Sequence, residues 1–126
     1  MRAEHIKNRG AILLLDDRPR SLVVRADELM RRGFRVELAS TLEQAESRWH
    51  PGRYILVLFA IRKGLLHAAE CCARMKRHDP GQMIGMLVAP EAELPPTRCP
   101  DLLWWEENLD CFLARVDTLA DFARAA

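Results

Sequence analysis

Two adjacent carboxylates stand at the end of the first apolar run of the chain. Asp16 and Asp17 follow the run at residues 11–15. Such a pair can help to bind Mg²⁺, although this ion needs further oxygen ligands or a substrate phosphate. A later apolar run, at residues 54–61, is followed by Arg62 and has no acid at its end. The sequence therefore predicts an acidic site with two carboxylates from the first run and none from the later run.

The apolar runs and the segments between them predict an α/β fold. Five strands are expected, at residues 11–15, 34–38, 54–61, 83–89 and 102–105. The run at residues 54–61 is apolar almost throughout, which is typical of a strand buried on both faces of a parallel sheet. Helices between the strands would cover the two faces of that sheet. Functional residues should then lie beyond the carboxyl ends of the strands.

Helical periodicity predicts which residues of the helices face the core. In the first helix, Leu22, Ala26, Leu29 and Met30 share one face. Ser40 or Thr41 can cap the second helix, with Glu43 or Gln44 as the reciprocal partner. The final helix should begin near residue 108 and carry an apolar stripe that consists of Leu109, Phe112, Leu113, Val116, Leu119, Ala120 and Ala123.

Four prolines interrupt this alternation after the fourth strand. They are Pro90, Pro95, Pro96 and Pro100. A proline inside a helix costs about 3 kcal/mol. We therefore expect the helix between the fourth and fifth strands to be shortened or replaced by a loop.

Composition excludes several classes of protein. The chain of 126 residues is long enough for one domain, which we place at residues 10–124 after a polar extension at residues 1–9. A formal net charge of +1 lacks the basic excess of a nucleic-acid-binding surface. No apolar run is long enough to span a membrane, and the extension has no signal-peptide core. We therefore expect a cytoplasmic protein with free thiols and no direct contact with nucleic acid or membrane.

The order of these segments resembles the receiver domain of bacterial two-component response regulators. The resemblance extends from about residue 10 to 123 and rests on Leu13-Leu14-Leu15-Asp16-Asp17, Gly33-Phe34, Tyr54-Ile55-Leu56-Val57-Leu58, Lys76-Arg77-His78-Asp79-Pro80 and Leu87-Val88-Ala89. It implies a flavodoxin-like, doubly wound sheet of five parallel strands in the order 2-1-3-4-5. It also implies a site where an aspartate ending the third strand takes a phosphoryl group from a sensor kinase, with Mg²⁺ held by the acidic pair.

Three parts of that site are replaced in this chain. In receivers, an aspartate, a hydroxyl residue and a lysine end the third, fourth and fifth strands. The corresponding residues here are Ala60, Val88 and Trp105. Their side chains offer no nucleophile, no hydroxyl and no positive charge. No Asp or Glu lies between residues 53 and 67, so the loss of the acceptor does not depend on the alignment.

The resemblance and these departures predict a degenerate receiver that is not an enzyme and acts through protein–protein contacts. The expected partner is a sensor kinase, another signalling protein or an attached output domain. The outer side of the final helix carries mixed charges that suit a two-fold contact between copies, namely Asp110, Arg115, Asp117, Asp121 and Arg124.

Two other functions stay open. A conventional phosphorelay receiver could be phosphorylated at a different residue, and a flavodoxin-like module could bind a small ligand at the strand ends. We expect no cofactor, because Mg²⁺ should bind Asp16 and Asp17 weakly at best. Arg62 and Lys63, just past the third strand, are placed to neutralise these carboxylates instead.

Overall fold

The computed structural model describes residues 8–88, 102–105 and 108–125, and in them strands alternate with helices. The elements are β1 (Ala11–Asp16), α1 (Pro19–Arg31), β2 (Arg35–Ala39), α2 (Leu42–Arg48), β3 (Leu56–Ala60), α3 (Leu65–His78), β4 (Ile84–Val88), β5 (Leu102–Trp105) and α4 (Leu109–Ala125).

The strands form one parallel sheet in the order β2-β1-β3-β4-β5, as the resemblance implies. β1 lies between β2 and β3 and is buried along its whole length. β1 and β3 end level with each other, because Asp16 is paired in register with Ala60. Val88 and Trp105 are paired in the same way at the ends of β4 and β5. The carboxyl ends of the strands therefore meet at one edge of the sheet.

Side chains that alternate along the strands build two cores, one on each face of the sheet. Leu13 and Leu15 of β1 belong to a core that contains side chains of α2 and α3. Ile12 and Leu14 belong to the core formed with α1 and α4. All four are fully buried, and burial of each contributes about 1.5–3 kcal/mol. The sheet thus lies between two layers of helices.

The buried side of α1 contains one charged residue. Pro19 begins the helix, where its missing N–H costs no helical hydrogen bond. Arg25, Ala26 and Leu29 are buried. The sequence-based placement of Met30 on this face is wrong, since Met30 is 48% exposed. Arg25 can be buried on this side because its guanidinium pairs with the carboxylate of Asp16.

The start of α2 is fixed by a reciprocal cap. The hydroxyl of Thr41 accepts a hydrogen bond from the backbone N–H of Gln44 at 3.1 Å. Oε1 of Gln44 in turn accepts one from the backbone N–H of Ser40 at 2.8 Å. Such caps satisfy N–H groups that have no partner within the helix. The predicted cap is confirmed, with Thr41 and Gln44 as its members.

The final helix begins where the sequence predicts. Oδ1 of Asn108 accepts a hydrogen bond from the backbone N–H of Cys111 at 2.9 Å, and α4 starts at the next residue after Asn108. Its predicted stripe is confirmed by the buried residues Phe112, Leu113, Val116, Leu119 and Ala120. The expected shortening of the helix at residues 90–101 lies outside the described residues. No helix within the described ranges is long and apolar enough to cross a membrane.

Candidate functional site

Asp16 is a buried carboxylate whose two oxygens are both bound by arginine residues. It is the last residue of β1 and has 0% exposure. Its Oδ2 accepts a hydrogen bond from Nη1 of Arg25 at 2.5 Å. Its Oδ1 accepts the backbone N–H of Arg18 at 2.9 Å, and Nε of Arg18 lies 3.6 Å from the same oxygen. Because a buried charge needs both a counter-charge and hydrogen bonds, these contacts explain how Asp16 can end a buried strand.

Arg25 connects three elements of the fold. It belongs to α1, binds Asp16 of β1, and places its guanidinium 5.2 Å from the centre of the Phe112 ring of α4. That distance lies within the range of a cation–π contact. Sequence reasoning missed Arg25 as a site residue. The available signal was its spacing, three residues after Leu22 and four before Leu29, which is typical of an inward-facing helical position.

Asp17, the second carboxylate, is exposed to solvent. Its Oδ2 accepts a hydrogen bond from the backbone N–H of Arg62 at 3.2 Å. This contact confirms that the end of β1 lies close to the residues after β3. The cations on Asp16, however, are Arg25 and Arg18, where the sequence suggested Arg62 and Lys63. This correction arises because α1 begins just after Asp16 and packs back against β1.

The end of β3 carries a methyl group. Ala60 is 2% exposed and has Asp16 and Leu87 as its register partners in β1 and β4. No Asp or Glu occurs between residues 53 and 67 that could replace it. Val88 and Trp105 end β4 and β5, and their side chains, expected to complete the site, lie outside what the structure describes.

Most of the carboxylate oxygens that could hold a Mg²⁺ ion already have partners within the chain. Mg²⁺ takes oxygen ligands in octahedral geometry and usually keeps several waters. Both oxygens of Asp16 and one oxygen of Asp17 already accept hydrogen bonds. Among the described residues, no group of three or more His, Cys, Asp or Glu could hold a metal, and Cys71, Cys72 and Cys111 carry free thiols. Positive charge at this strand end is supplied by the protein itself.

Two cavities adjoin the strand end. One, of about 230 Å³, is bordered by Asp17, Thr41 and Lys63 at the ends of β1, β2 and β3. The other, of about 240 Å³, lies between α1 and α4. We call this second cavity the α1–α4 groove, and it is lined by Arg20, Ser21, Val24, Arg25, Leu109 and Phe112. Arg25 therefore borders the groove and also binds Asp16.

The charged residues predicted on the outer side of α4 do not all face solvent freely. Asp117 is bound by two arginines of the same chain, with Nη1 of Arg9 2.9 Å from Oδ1 and Nη1 of Arg32 2.5 Å from Oδ2. Asp117 thus ties α4 to the end of α1. The other members of the predicted set are partly or fully exposed: Arg115, Asp110, Asp121 and Arg124.

A further charged cluster joins β2 to the segment before β3. The hydroxyl of Tyr54 donates a hydrogen bond to Oε2 of Glu37 at 2.6 Å, and Nη2 of Arg53 lies 2.8 Å from Oε1. The hydrogen bond from Tyr54 lowers the pKa of Glu37. Burial, followed by the hydrogen bond to Glu37, raises the pKa of Tyr54 to about 12. This cluster fastens the edge strand to the sheet and shares no residue with the Asp16 cluster.

Solved structures of response regulator receiver domains match this chain over most of its length. TrrA of Thermotoga maritima, solved in complex with Mg²⁺-BeF, is 22% identical, with a TM-score of 0.73 over 86% of this chain and 97% of TrrA. The receiver domain of HemR from Leptospira biflexa is 20% identical, with a TM-score of 0.76 over 87% of this chain and 93% of that domain. A CheY-like receiver domain protein from Methanospirillum hungatei is also 20% identical, with a TM-score of 0.76 over 91% and 96%.

The chain has the receiver fold. A scan against models of protein families gave no match, and a search of curated protein sequences gave none either. TrrA has also been solved in complex with the histidine kinase ThkA, again at 22% identity. The receiver fold thus rests on the three-dimensional likeness and on the strand order, and the function rests on the residues of the strand-end site.

Proposed function

We propose that this chain is a receiver-like signalling module that works without phosphorylation. The proposal is supported above all by the end of β3, where Ala60 offers a methyl group in register with Asp16. It is also supported by the charge of Asp16, which Arg25 already balances. Transfer of a phosphoryl group needs a nucleophile to receive it and positive charge to stabilise it. Ala60 supplies no nucleophile, and Arg25 is committed to Asp16.

A module of this kind catalyses no reaction and acts by binding another protein. The partner we propose is a cytoplasmic signalling protein, either a sensor kinase or an output domain. The complex of TrrA with the histidine kinase ThkA supports this choice, because TrrA has the same fold. A formal net charge of +1 supports a protein partner rather than a nucleic acid.

The α1–α4 groove is the surface that we propose for this contact. Val24 lines the groove and is 50% exposed, and the adjacent Val23 is 55% exposed. Covering exposed valines removes apolar surface from water, which favours association. Arg20 and Ser21 supply the polar rim that protein interfaces usually have. The groove is better suited to this role than the charged side of α4, because Asp117 is engaged within the chain.

The lack of phosphorylation is tested by incubating the wild-type chain with Mg²⁺ and acetyl phosphate and measuring its intact mass. We expect no phosphate adduct. A receiver domain with an aspartate at the end of its third strand, treated in parallel, is the positive control. An acyl phosphate on any carboxylate of the wild-type chain would overturn the proposal.

The docking surface is tested by Val24→Asp, measured as binding to the purified cytoplasmic portions of sensor kinases from the same cell. We expect affinity to fall by about tenfold or more, since a charge would be buried at the contact. Leu66→Asp is the matched control, because Leu66 is 55% exposed on α3, on the other face of the sheet. Equal effects of the two substitutions would place the contact elsewhere.

A contact between two copies is a second form that this binding can take. Asp110, Asp121 and Arg124 are exposed on α4 and carry both signs of charge, which suits a self-complementary two-fold contact. Sedimentation velocity at rising concentration should show a reversible shift to dimer that Arg124→Glu weakens. A single monomer boundary at every concentration would contradict a two-copy contact.

A further inference from the structure

One side chain, that of Arg25, belongs both to the end of β1 and to the α1–α4 groove. Its Nη1 lies 2.5 Å from Oδ2 of Asp16. Its guanidinium also lies over the ring of Phe112 at 5.2 Å, and both residues line the groove. Any movement of this guanidinium would therefore change the strand end and the groove together.

The charge at the strand end is already balanced. Asp16 contributes one carboxylate, and nitrogens of Arg25 and Arg18 lie 2.5 and 3.6 Å from its two oxygens. A divalent cation that took Oδ2 of Asp16 would separate that oxygen from the guanidinium of Arg25, whose side chain is only 9% exposed. A guanidinium without its counter-charge is unfavourable in such a place, and it would also repel the incoming metal.

We infer that Arg25 is a built-in cation that excludes divalent metals from Asp16 and Asp17 and holds the α1–α4 groove in one conformation. TrrA has the same fold and was solved with Mg²⁺-BeF, whereas the carboxylates of this chain are committed to arginine and backbone donors. The statement about the metal does not depend on the proposed function. The role of the groove as a docking surface does rest on that function.

A titration with MgCl₂, followed by the amide resonances of the chain in NMR, tests this inference. In the wild type we expect no saturable shift at Asp16, Asp17 or Arg62 in the millimolar range. Arg25→Met keeps a long side chain and removes the charge, and we expect it to bind Mg²⁺ at least about tenfold more tightly than the wild type. Arg25→Lys keeps a cation and should behave like the wild type.

A double variant assigns the gained binding to the right carboxylate. Asp16→Asn combined with Arg25→Met should lose the Mg²⁺ affinity that Arg25→Met gains, because the freed ligand is gone. In Arg25→Met alone, Mg²⁺ should also shift resonances of the groove at Val24 and Phe112. Binding without those shifts would overturn the link to the groove.

Two outcomes would overturn the exclusion of metal. One is saturable Mg²⁺ binding at Asp16 in the wild type at millimolar or lower concentration, which needs no variant and so does not depend on whether Arg25→Met folds. The other is a folded Arg25→Met chain, shown by its circular dichroism, that gains no Mg²⁺ affinity. Neither measurement uses a phosphodonor or a partner protein, so a failure here is distinct from a failure of the proposed function.

Discussion

Two aspartates of this chain are each bound by two arginines, in very different surroundings. Asp16, at the carboxyl end of β1, has 0% side-chain exposure, and the Arg25 side chain is 9% exposed. Asp117 contacts Arg32 at the far end of α1 and is 31% exposed, with Arg9 and Arg32 at 20% and 39%. Both clusters pair one carboxylate with two arginines, and the access of the carboxylate to water differs strongly.

Burial determines how much stability is lost when one partner of an ion pair is removed. Removing one partner of a buried pair leaves a charge that neither water nor protein compensates. Removing one partner of an exposed pair leaves a charge that water and salt screen. We therefore expect the Asp16 cluster to set the conformation of α1 and α4, and the Asp117 cluster to add only a weak tether between the same helices.

The largest effect is expected from Asp16→Asn. The substitution removes the carboxylate charge that faces the buried guanidinium of Arg25, so the free energy of unfolding should fall by about 3–5 kcal/mol. Urea denaturation followed by circular dichroism measures this fall. Asp17→Asn is the matched control, because Asp17 is adjacent and exposed, and it should cost less than about 1 kcal/mol. Equal losses of unfolding free energy in the two variants would show that burial does not determine the cost of removing the carboxylate charge.

Adding Arg25→Met to Asp16→Asn should raise the free energy of unfolding again. The double variant no longer buries a guanidinium that has lost its carboxylate, so it should recover most of the roughly 3–5 kcal/mol that Asp16→Asn costs. A double-mutant cycle of urea unfolding measures this coupling. If the losses of unfolding free energy from the two substitutions simply added, Asp16 and Arg25 would not be energetically coupled.

The Glu37–Tyr54 cluster extends the comparison because it joins a tyrosine that is 5% exposed to a carboxylate that is 36% exposed. Tyr54 is the only tyrosine of the chain, so tyrosinate absorbance reports its titration directly, with an expected pKa of about 12. Glu37→Gln should lower that pKa, because the charge of Glu37 helps to raise it. Tyr54→Phe should cost about 1 kcal/mol near neutral pH for the lost hydrogen bond. An unchanged pKa in Glu37→Gln would contradict this account.

The pH dependence of this cluster follows from the two shifts. The pKa of Tyr54 is raised in the folded chain, so its contribution to stability is complete below the ordinary value of 10.0 and is lost as the pH rises toward about 12. The pKa of Glu37 is lowered, so its contribution is present above the ordinary 4.5 and is lost as the pH falls through the folded value.

The smallest effect is expected from Asp117→Asn. The loss in unfolding free energy should not exceed about 1 kcal/mol, since each of its ion pairs is partly exposed. In about 1 M NaCl, where the screening length is about 3 Å, even this loss should shrink. Asp16→Asn, measured in the same salt, should keep most of its penalty. A loss from Asp117→Asn as large as that from Asp16→Asn would show that exposure does not separate the two clusters.

Most of the fold could be predicted from the sequence, because its elements carry strong local signals. The apolar run that contains β3 is long and nearly uninterrupted, so its central place in the sheet was evident. The stripe of α4 has the helical period, and Thr41 with Gln44 forms a recognisable cap. The segment at residues 90–101 carries prolines in place of such a period, and its predicted loop stays a prediction.

The site was harder to predict because its decisive residue breaks the apolar pattern. Arg25 occupies an inward position of α1, but a charged residue in a helical pattern predicts a position that faces solvent. The pattern therefore favours Met30 for the inner face, although Met30 is exposed. The partners of Asp117 were hidden for a different reason. Arg9 and Arg32 lie 108 and 85 residues away from it along the chain, a separation that no local periodicity can report.

The place of α4 in the core also has a consequence for synthesis. The ribosome releases β1, α1 and β3 well before α4, and α4 supplies much of the core on that face of the sheet. Until α4 has been synthesised, Ile12 and Leu14 lack the core residues that this helix supplies. The core on this face is therefore complete only after α4 has left the ribosomal tunnel.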